Sequence, residues 1–304
     1  MKAIKIAQSL KGKIKPFFLG DSDSLVLRLT LLVYTGFVFE IPDRYSIPSQ
    51  GVKVLFYFYC ACGLAFDRLL RSPAYWFVPI GGLLYTMLVD FGYYRIPNHF
   101  FVIFYWLMAI SIGLLLRKET GDYLVFNARN ILCLVIGISV VQKVASPTFL
   151  DGSFFYERVV FEGFFKSFLE LGQEYHQSAH LLINSHRLWA MEFPGVGHSL
   201  AIESVEGIRI FAKSLAWFTL LVEAVIVGLL AFPRFRYLRH FALLGLFLPI
   251  ILLVKEYVFA SMMLTMGLAI CLRDFHKLRY AYVSLIAFAL VLRFFPGLNI
   301  VPCF

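Results

Sequence analysis

Long runs of apolar residues alternate along the chain with short polar connections. A helix that crosses a bilayer needs about 20 predominantly apolar residues, and nine stretches approach that length. These stretches are residues 24–41, 52–67, 74–93, 98–116, 127–146, 210–232, 240–255, 256–272 and 280–296. Lys255 and Glu256 alone separate the seventh stretch from the eighth in the sequence, which predicts a tight helical hairpin. The pattern therefore predicts an all-α polytopic membrane bundle of about nine transmembrane helices.

The composition excludes the other broad classes of protein. Apolar residues make up 60% of the 304 residues and charged residues 15%, whereas soluble domains carry about 25% charged residues. A globule of this size has too little interior to bury so much apolar surface. The counts of 21 Gly, 12 Pro and 5 Cys fit neither a collagen-like chain nor a disulfide scaffold.

The basic residues predict which way the bundle faces. Lys and Arg accumulate in connections on the cytoplasmic side of a membrane. If the N-terminus is cytoplasmic, that side receives 16 of the 28 basic residues: Lys2, Lys5, Lys11, Lys13, Lys15, Arg68, Arg71, Arg117, Lys118, Arg129, Arg234, Arg236, Arg239, Arg273, Lys277 and Arg279. We therefore expect a cytoplasmic N-terminus and an outside C-terminus, in a bacterial inner (plasma) membrane. Membrane lipid is an expected partner of the basic face, and nucleic acid is not.

One long connection, residues 147–209, joins two groups of spans. The chain thus divides into a basic segment 1–23, spans 1–5 at 24–146, this extracytoplasmic loop, and spans 6–9 at 210–304. Aromatic and acidic residues crowd the loop, and their spacing predicts an amphipathic helix at 154–170 on the outer membrane surface. Because long structured loops usually carry function, we expect a peptide or protein partner to bind there.

Ionisable residues inside spans are costly and mark candidate functional sites. The topology places Asp90, His99 and Lys143 near the outer leaflet, and a buried lysine can act as a base. These three are the predicted catalytic residues. The alternative is a structural Lys–Asp ion pair with His99 capping a helix. Arg28 and Glu223 are predicted to be structural polar residues, Arg28 by snorkelling to the interface or by pairing with a carboxylate.

Two loop histidines raise the question of a metal. His176 and His180 are spaced by four residues and would share one helical face, a geometry that can bind a metal. No Glu directly follows His176, as it would in the H-E-x-x-H zinc motif. We expect no metal, with these two histidines as the weak candidates and solvated loop residues as the alternative.

Several segments, in order, resemble the HTTM membrane domain shared with vitamin K-dependent gamma-carboxylases. Residues 23–28, ending in Arg28, resemble the opening of that domain, and residues 97–101 resemble its N-H-[YS]-Y segment. Residues 142–152 are similar to its stretch K-L-[ND]-x-[DS]-[WF]-[LV]-x-G. Glu223 followed by residues 232–236 is similar to its last segment, a Glu followed by p-R-t-R.

This resemblance implies roles for two residues. In the carboxylases, the corresponding lysine deprotonates reduced vitamin K and the histidine serves the carboxylation half-reaction. Those roles would fall on Lys143 and His99. The sequence departs from the family pattern in two places: Phe101 replaces a tyrosine, and Lys143 precedes Phe149 by six residues instead of five. A full gamma-carboxylase is therefore not expected.

The sequence leaves three functions open. The first is an HTTM-type membrane enzyme that modifies a peptide or protein at the outer face. It would use a lipid-borne quinol (a reduced quinone) or a similar cofactor, with Lys143 as base. The second is a non-enzymatic subunit that serves maturation, export or assembly of a partner through residues 147–209. The third is a transporter, against which stands the lack of repeat symmetry in the sequence. Whether the protein is an enzyme stays open.

Overall fold

The structure, a computed structural model, describes residues 22–40, 50–90, 98–116, 120–161, 206–275 and 277–294. All regular elements in these residues are helical. The helices of the first half are α1 (Ser22–Glu40), α2 (Gln50–Ala65), α3 (Asp67–Leu70), α4 (Pro73–Asp90), α5 (Asn98–Leu116), α6 (Thr120–Ala145), α7 (Pro147–Leu150) and α8 (Ser153–Phe161). Those of the second half are α9 (Glu206–Ala231), a 3-10 turn (Pro233–Phe235), α10 (Arg236–Pro249), a π-helical segment (Ile250–Val254), α11 (Tyr257–Asp274) and α12 (Arg279–Phe294).

Three helical stretches are long and apolar enough to cross a membrane. They are Thr120–Ala145, Gly207–Ala231 and Arg236–Val254. Large apolar side chains on their outer faces are exposed, among them Leu134 at 63% and Phe218 at 64%. An exposed apolar surface of this extent requires lipid around it. The structure therefore confirms an all-helical membrane protein.

Each predicted span overlaps at least one helical element, although several boundaries differ. Helix α6 begins at Thr120, where the sequence predicts a start at 127. The hydropathy pattern excludes the polar first turn of α6, which contains Asp122, but the backbone of this turn is helical. Helix α2 ends at Ala65, and the short α3 that follows contains Asp67.

Helix α11 lies at the centre of the bundle. It contacts α1, α6, α10 and α12, and every residue from Ala260 to Cys271 is buried. A helix buried on all faces needs apolar or small residues around its whole circumference. Gly267 meets this need, since a Cβ there would lie 2.6 Å from the ring of Tyr282 on α12.

The turn between α10 and α11 occurs at the two residues that the sequence predicts. Pro249 lacks the N–H that would continue the α-helical ladder, and the next residues form the π-helical segment. Lys255 then adopts the left-handed conformation, with φ of 62°, and α11 begins after Glu256. A left-handed residue ends many helices by turning the chain away from the helix axis.

The start of the long connection folds back on the bundle. Helix α8 covers 153–161 of the amphipathic helix predicted at 154–170, and residues 162–205 lie outside the described part. Phe149 and Phe155 pack there against Ala212, Ala216 and Leu220 of α9. Residues 147–161 are thereby fixed at the end of α6.

Candidate functional site

An ion pair joins two helices near the end of α6. The Lys143 ammonium contacts Oε1 of Glu223 on α9, with side chains 20% and 10% accessible. Ser139, one turn before Lys143 on the same face, donates a hydrogen bond to Oε2 of Glu223 at 3.2 Å. Both carboxylate oxygens therefore have a partner, as burial of this group requires.

A phenylalanine covers the lysine. The ring centroid of Phe149 lies 5.4 Å from Lys143 Nζ, within range of a cation–π interaction. The chain reaches this position by a short turn: Ser146 caps α7 by accepting a hydrogen bond from the Phe149 N–H, and Pro147 occupies the first turn. The local sequence after α6 thus places an aromatic ring over the cation.

A groove of about 810 Å³ runs between α5 and α6 and is closed on one side by Phe259 of α11. On α6 its lining extends from Tyr123 to Gln142, which corresponds to about 28 Å of helix. Most lining residues are apolar, and no charged side chain lines it among the described residues. Ser139 and Gln142 line its end nearest to Lys143. Ser139 therefore belongs both to the groove and to the cluster that it forms with Lys143 and Glu223.

The backbone gives the positions of Asp90 and His99, the other two predicted catalytic residues, whose side chains lie outside the described part of the structure. Asp90 is the last residue of α4, and His99 lies in the first turn of α5. Thr120 Oγ1 donates a hydrogen bond to the carbonyl of Gly113, so α5 and α6 form an antiparallel hairpin. The first turn of α5 and the last turn of α6 therefore share one end of the bundle. Contacts of Asp90 and His99 with Lys143 lie outside the described side chains.

Arg28 belongs to a different cluster, at the opposite end of α6. Its Nη2 lies 3.5 Å from Oδ1 of Asp67, which also accepts a hydrogen bond from Ser24 at 2.9 Å. Arg71 donates to Asp67 Oδ2 at 2.8 Å and to Ser24 Oγ at 2.7 Å. Partial burial disfavours the charged carboxylate, but the hydrogen bonds and the two arginine charges outweigh it and lower the pKa of Asp67. Pairing with a carboxylate is the outcome for Arg28.

Some polar residues were not among the sequence candidates. Ser139 and Gln142 line the groove, and His240 is fully buried with Nδ1 3.0 Å from the hydroxyl of Tyr282. The spacing of Ser139 and Lys143 by four residues is a signal that the sequence offers for the first case. Serine and glutamine are common in membrane helices, however, so spacing alone does not single them out.

No metal site is formed by the described residues, which contain no group of three His, Cys, Asp or Glu side chains. His176 and His180, the weak metal candidates, lie in 162–205, outside the described residues.

These observations define a class: a helical membrane protein with an ion pair within the bundle beside an apolar groove. Comparison of the chain with protein-family models, with curated proteins and with solved structures finds no match. The resemblance to the HTTM domain therefore depends on the segments quoted above.

Proposed function

We propose that this protein is an HTTM-type integral membrane enzyme that uses a lipid-borne quinol to modify a peptide or protein at the outer membrane face, with Lys143 as base. One observation supports the proposal above the others: an ion pair of Lys143 and Glu223 lies within the helical bundle beside a groove lined mostly by apolar residues. Ion pairs are costly in such surroundings and are retained mainly where they serve a function.

The residues of the cluster suit a head group that carries a hydroxyl. When bound, a reduced quinone would supply an acidic hydroxyl and two reducing electrons, and dioxygen, the oxidant that the resemblance to the carboxylases implies, would accept those electrons. The Ser139 hydroxyl donates to Glu223 and retains lone pairs that can accept from a ligand. Lys143 can act as a base once it has passed its ammonium proton to Glu223, which it already contacts. In the proposal, His99 and Asp90 are polar partners at the same end of the bundle.

The proposal includes the topology. Nine helices cross the bacterial inner membrane, with the N-terminus cytoplasmic and the C-terminus outside. Two spatial clusters at opposite ends of α6 support this arrangement. The Arg28–Asp67–Arg71 cluster lies at the basic end, and Lys143 lies at the end where α7 and α8 begin.

Two substitutions of Lys143 test its role as base. Lys143→Arg retains a cation beside Glu223, but a guanidinium does not release its proton in proteins. Lys143→Met removes the cation. If Lys143 is the base, both variants lose oxygen-dependent oxidation of a decyl-substituted ubiquinol in proteoliposomes by at least about 100-fold, in the range of general-base catalysis. Activity retained in Lys143→Arg, at equal expression and melting temperature, would reject Lys143 as the base.

A second candidate function is a non-enzymatic subunit for maturation, export or assembly. The docking of α8 against α9 favours it, because this contact fixes the start of the 147–209 connection at the bundle surface. Purification in mild detergent distinguishes the two functions. A stable partner protein that is lost when residues 162–200 are deleted supports the subunit, and a monomer that retains quinone supports the enzyme.

A further inference from the structure

The groove between α5 and α6 extends over nearly the full thickness of the hydrocarbon core of a bilayer. Its lining on α6 covers about 28 Å, and the hydrocarbon core of a bilayer is about 30 Å thick. Its volume of about 810 Å³ lies within the range of ligand pockets in proteins, about 300–1,000 Å³. Leu134 and Ile138 line it and are 63% and 55% exposed, so the groove is open sideways to the lipid phase.

The chemistry of the lining restricts the head of such a ligand. Phosphate head groups are bound by arginine or lysine side chains, and none lines the groove among the described residues. Ser139 and Gln142 offer hydrogen bonds at the end beside Lys143. A neutral head with hydroxyl or carbonyl groups matches these side chains, and a charged head does not.

We propose that this groove binds a lipid with one long apolar chain and an uncharged ring head, and that Ser139 and Gln142 hold the head beside the Lys143–Glu223 pair. The apolar chain of the lipid lies between α5 and α6 and runs along α6 toward Tyr123. Ser139 is a positioning residue, because it accepts a hydrogen bond from the head while it donates its own proton to Glu223. This assignment rests on the proposed function for the identity of the head as a quinol.

The test uses the full-length protein in lipid nanodiscs, with decyl-substituted ubiquinol as the probe. Ile131→Trp places a bulky ring in the groove, and we expect it to weaken probe binding at least tenfold, which is about 1.4 kcal/mol. Val141→Trp is the matched control, since Val141 lies on the same helix, is 67% exposed and does not line the groove. It should leave binding unchanged. Duroquinol, a methylated quinol without the long chain, should bind at least tenfold more weakly than the probe.

A second pair of variants addresses the head. Ser139→Ala should weaken probe binding about tenfold, and Ser139→Thr, which keeps a hydroxyl, should retain most of it. Equal binding by Ile131→Trp and Val141→Trp, in folded protein, would overturn the site. If Ile131→Trp does not fold, a photoreactive group on the decyl chain replaces it in the test. Labelling within 101–112 and 131–142 supports the site, and labelling elsewhere overturns it.

The outcomes separate the site from the proposed function. Lys143→Arg should bind the probe like the wild type while it loses activity. If Lys143→Arg is active and Ile131→Trp still loses binding, the groove assignment holds and Lys143 is not the base. If the groove variants bind the probe like the wild type but Lys143→Arg is inactive, the groove assignment is wrong and the role of Lys143 as base still holds. Phospholipid as the sole lipid retained on purification, with no probe binding, rejects both.

Discussion

At the scale of single residues, the Lys143–Glu223 contact is governed by the cost of charge in apolar surroundings. A lone ion buried in a protein costs several kcal/mol, and removing one partner of a buried pair leaves the other uncompensated. The sequence identifies both residues, because each is an ionisable group inside an apolar stretch. It does not pair them, since 80 positions separate them and the contact depends on how α6 packs on α9. The sequence suggested Asp90 as the carboxylate for a structural pair, and the structure joins Lys143 to Glu223.

A double-mutant cycle of Lys143→Met, Glu223→Leu and the double variant measures this pair. Lys143→Met leaves the Glu223 carboxylate without its cation, and we expect a loss of about 3 kcal/mol in the free energy of unfolding in mixed micelles. Lys143→Met combined with Glu223→Leu removes both charges and should recover stability to within about 1 kcal/mol of the wild type. Gln142→Met, at the adjacent exposed position, is the control and should cost less than about 0.5 kcal/mol. A Lys143→Met variant as stable as Gln142→Met would show that the ion pair contributes nothing.

Asp67 predicts a pH dependence of stability. Since its pKa is lower in the folded state than in the unfolded chain, its contribution is present above the ordinary pKa of about 4 and is lost as pH falls through the folded value. The side chain is 39% accessible, so the effect should not exceed about 1 kcal/mol. Asp67→Asn should be less stable than the wild type at pH 7, and the difference should shrink as pH falls below about 4. Melting temperatures of both proteins across this range give the measurement, and a constant difference would contradict it.

At the scale of elements, the sequence predicts where helices form better than where they end. Apolar stretches are read directly from the chain, and each predicted span overlaps a helix. The ends depend on features that hydropathy does not weigh. The polar first turns of α6 are helical, and Pro249 leads into a π-helical segment without interrupting the stretch. The groove was not predictable in the same way, because its shape depends on the packing of α5, α6 and α11.

The docking of α8 depends on one glycine. Gly152 has φ of 87°, and a Cβ there would lie 2.6 Å from the backbone nitrogen of Lys213 on α9. Gly152→Ala therefore introduces both backbone strain and a clash, and we expect it to destabilise the α8–α9 contact by about 1–3 kcal/mol. Limited proteolysis should cut near residues 147–161 faster in this variant. Gly137→Ala is the control, since its Cβ would lie 3.9 Å from Val227, an ordinary contact, and it should leave the cleavage rate unchanged.

At the scale of the whole molecule, the structure separates polar groups along the bundle. Asp67 and its two arginines lie at the end where α1 begins, and Gly121 in the first turn of α6 lies close to Asp23 there. At the other end, the charge of Arg158 on α8 acts on Glu256 in the α10–α11 turn. The basic connections of the sequence predict that the end with Asp67 and its arginines is cytoplasmic, because positive charges accumulate on that side. The sequence does not predict which residues meet at each end.

Cysteine labelling in intact cells tests the topology. In a background without native cysteines, Thr148→Cys lies in α7, outside in the proposed topology, and Arg234→Cys lies in the turn between α9 and α10, which we place inside. Both positions are exposed, so burial does not prevent reaction. A membrane-impermeant maleimide should label Thr148→Cys in intact cells and Arg234→Cys after permeabilisation alone. The reverse pattern would invert the bundle and place the Lys143–Glu223 pair toward the cytoplasm. Equal labelling of both in intact cells would mean that α9 does not cross the membrane, since α9 separates the connection after α6 from the turn that contains Arg234.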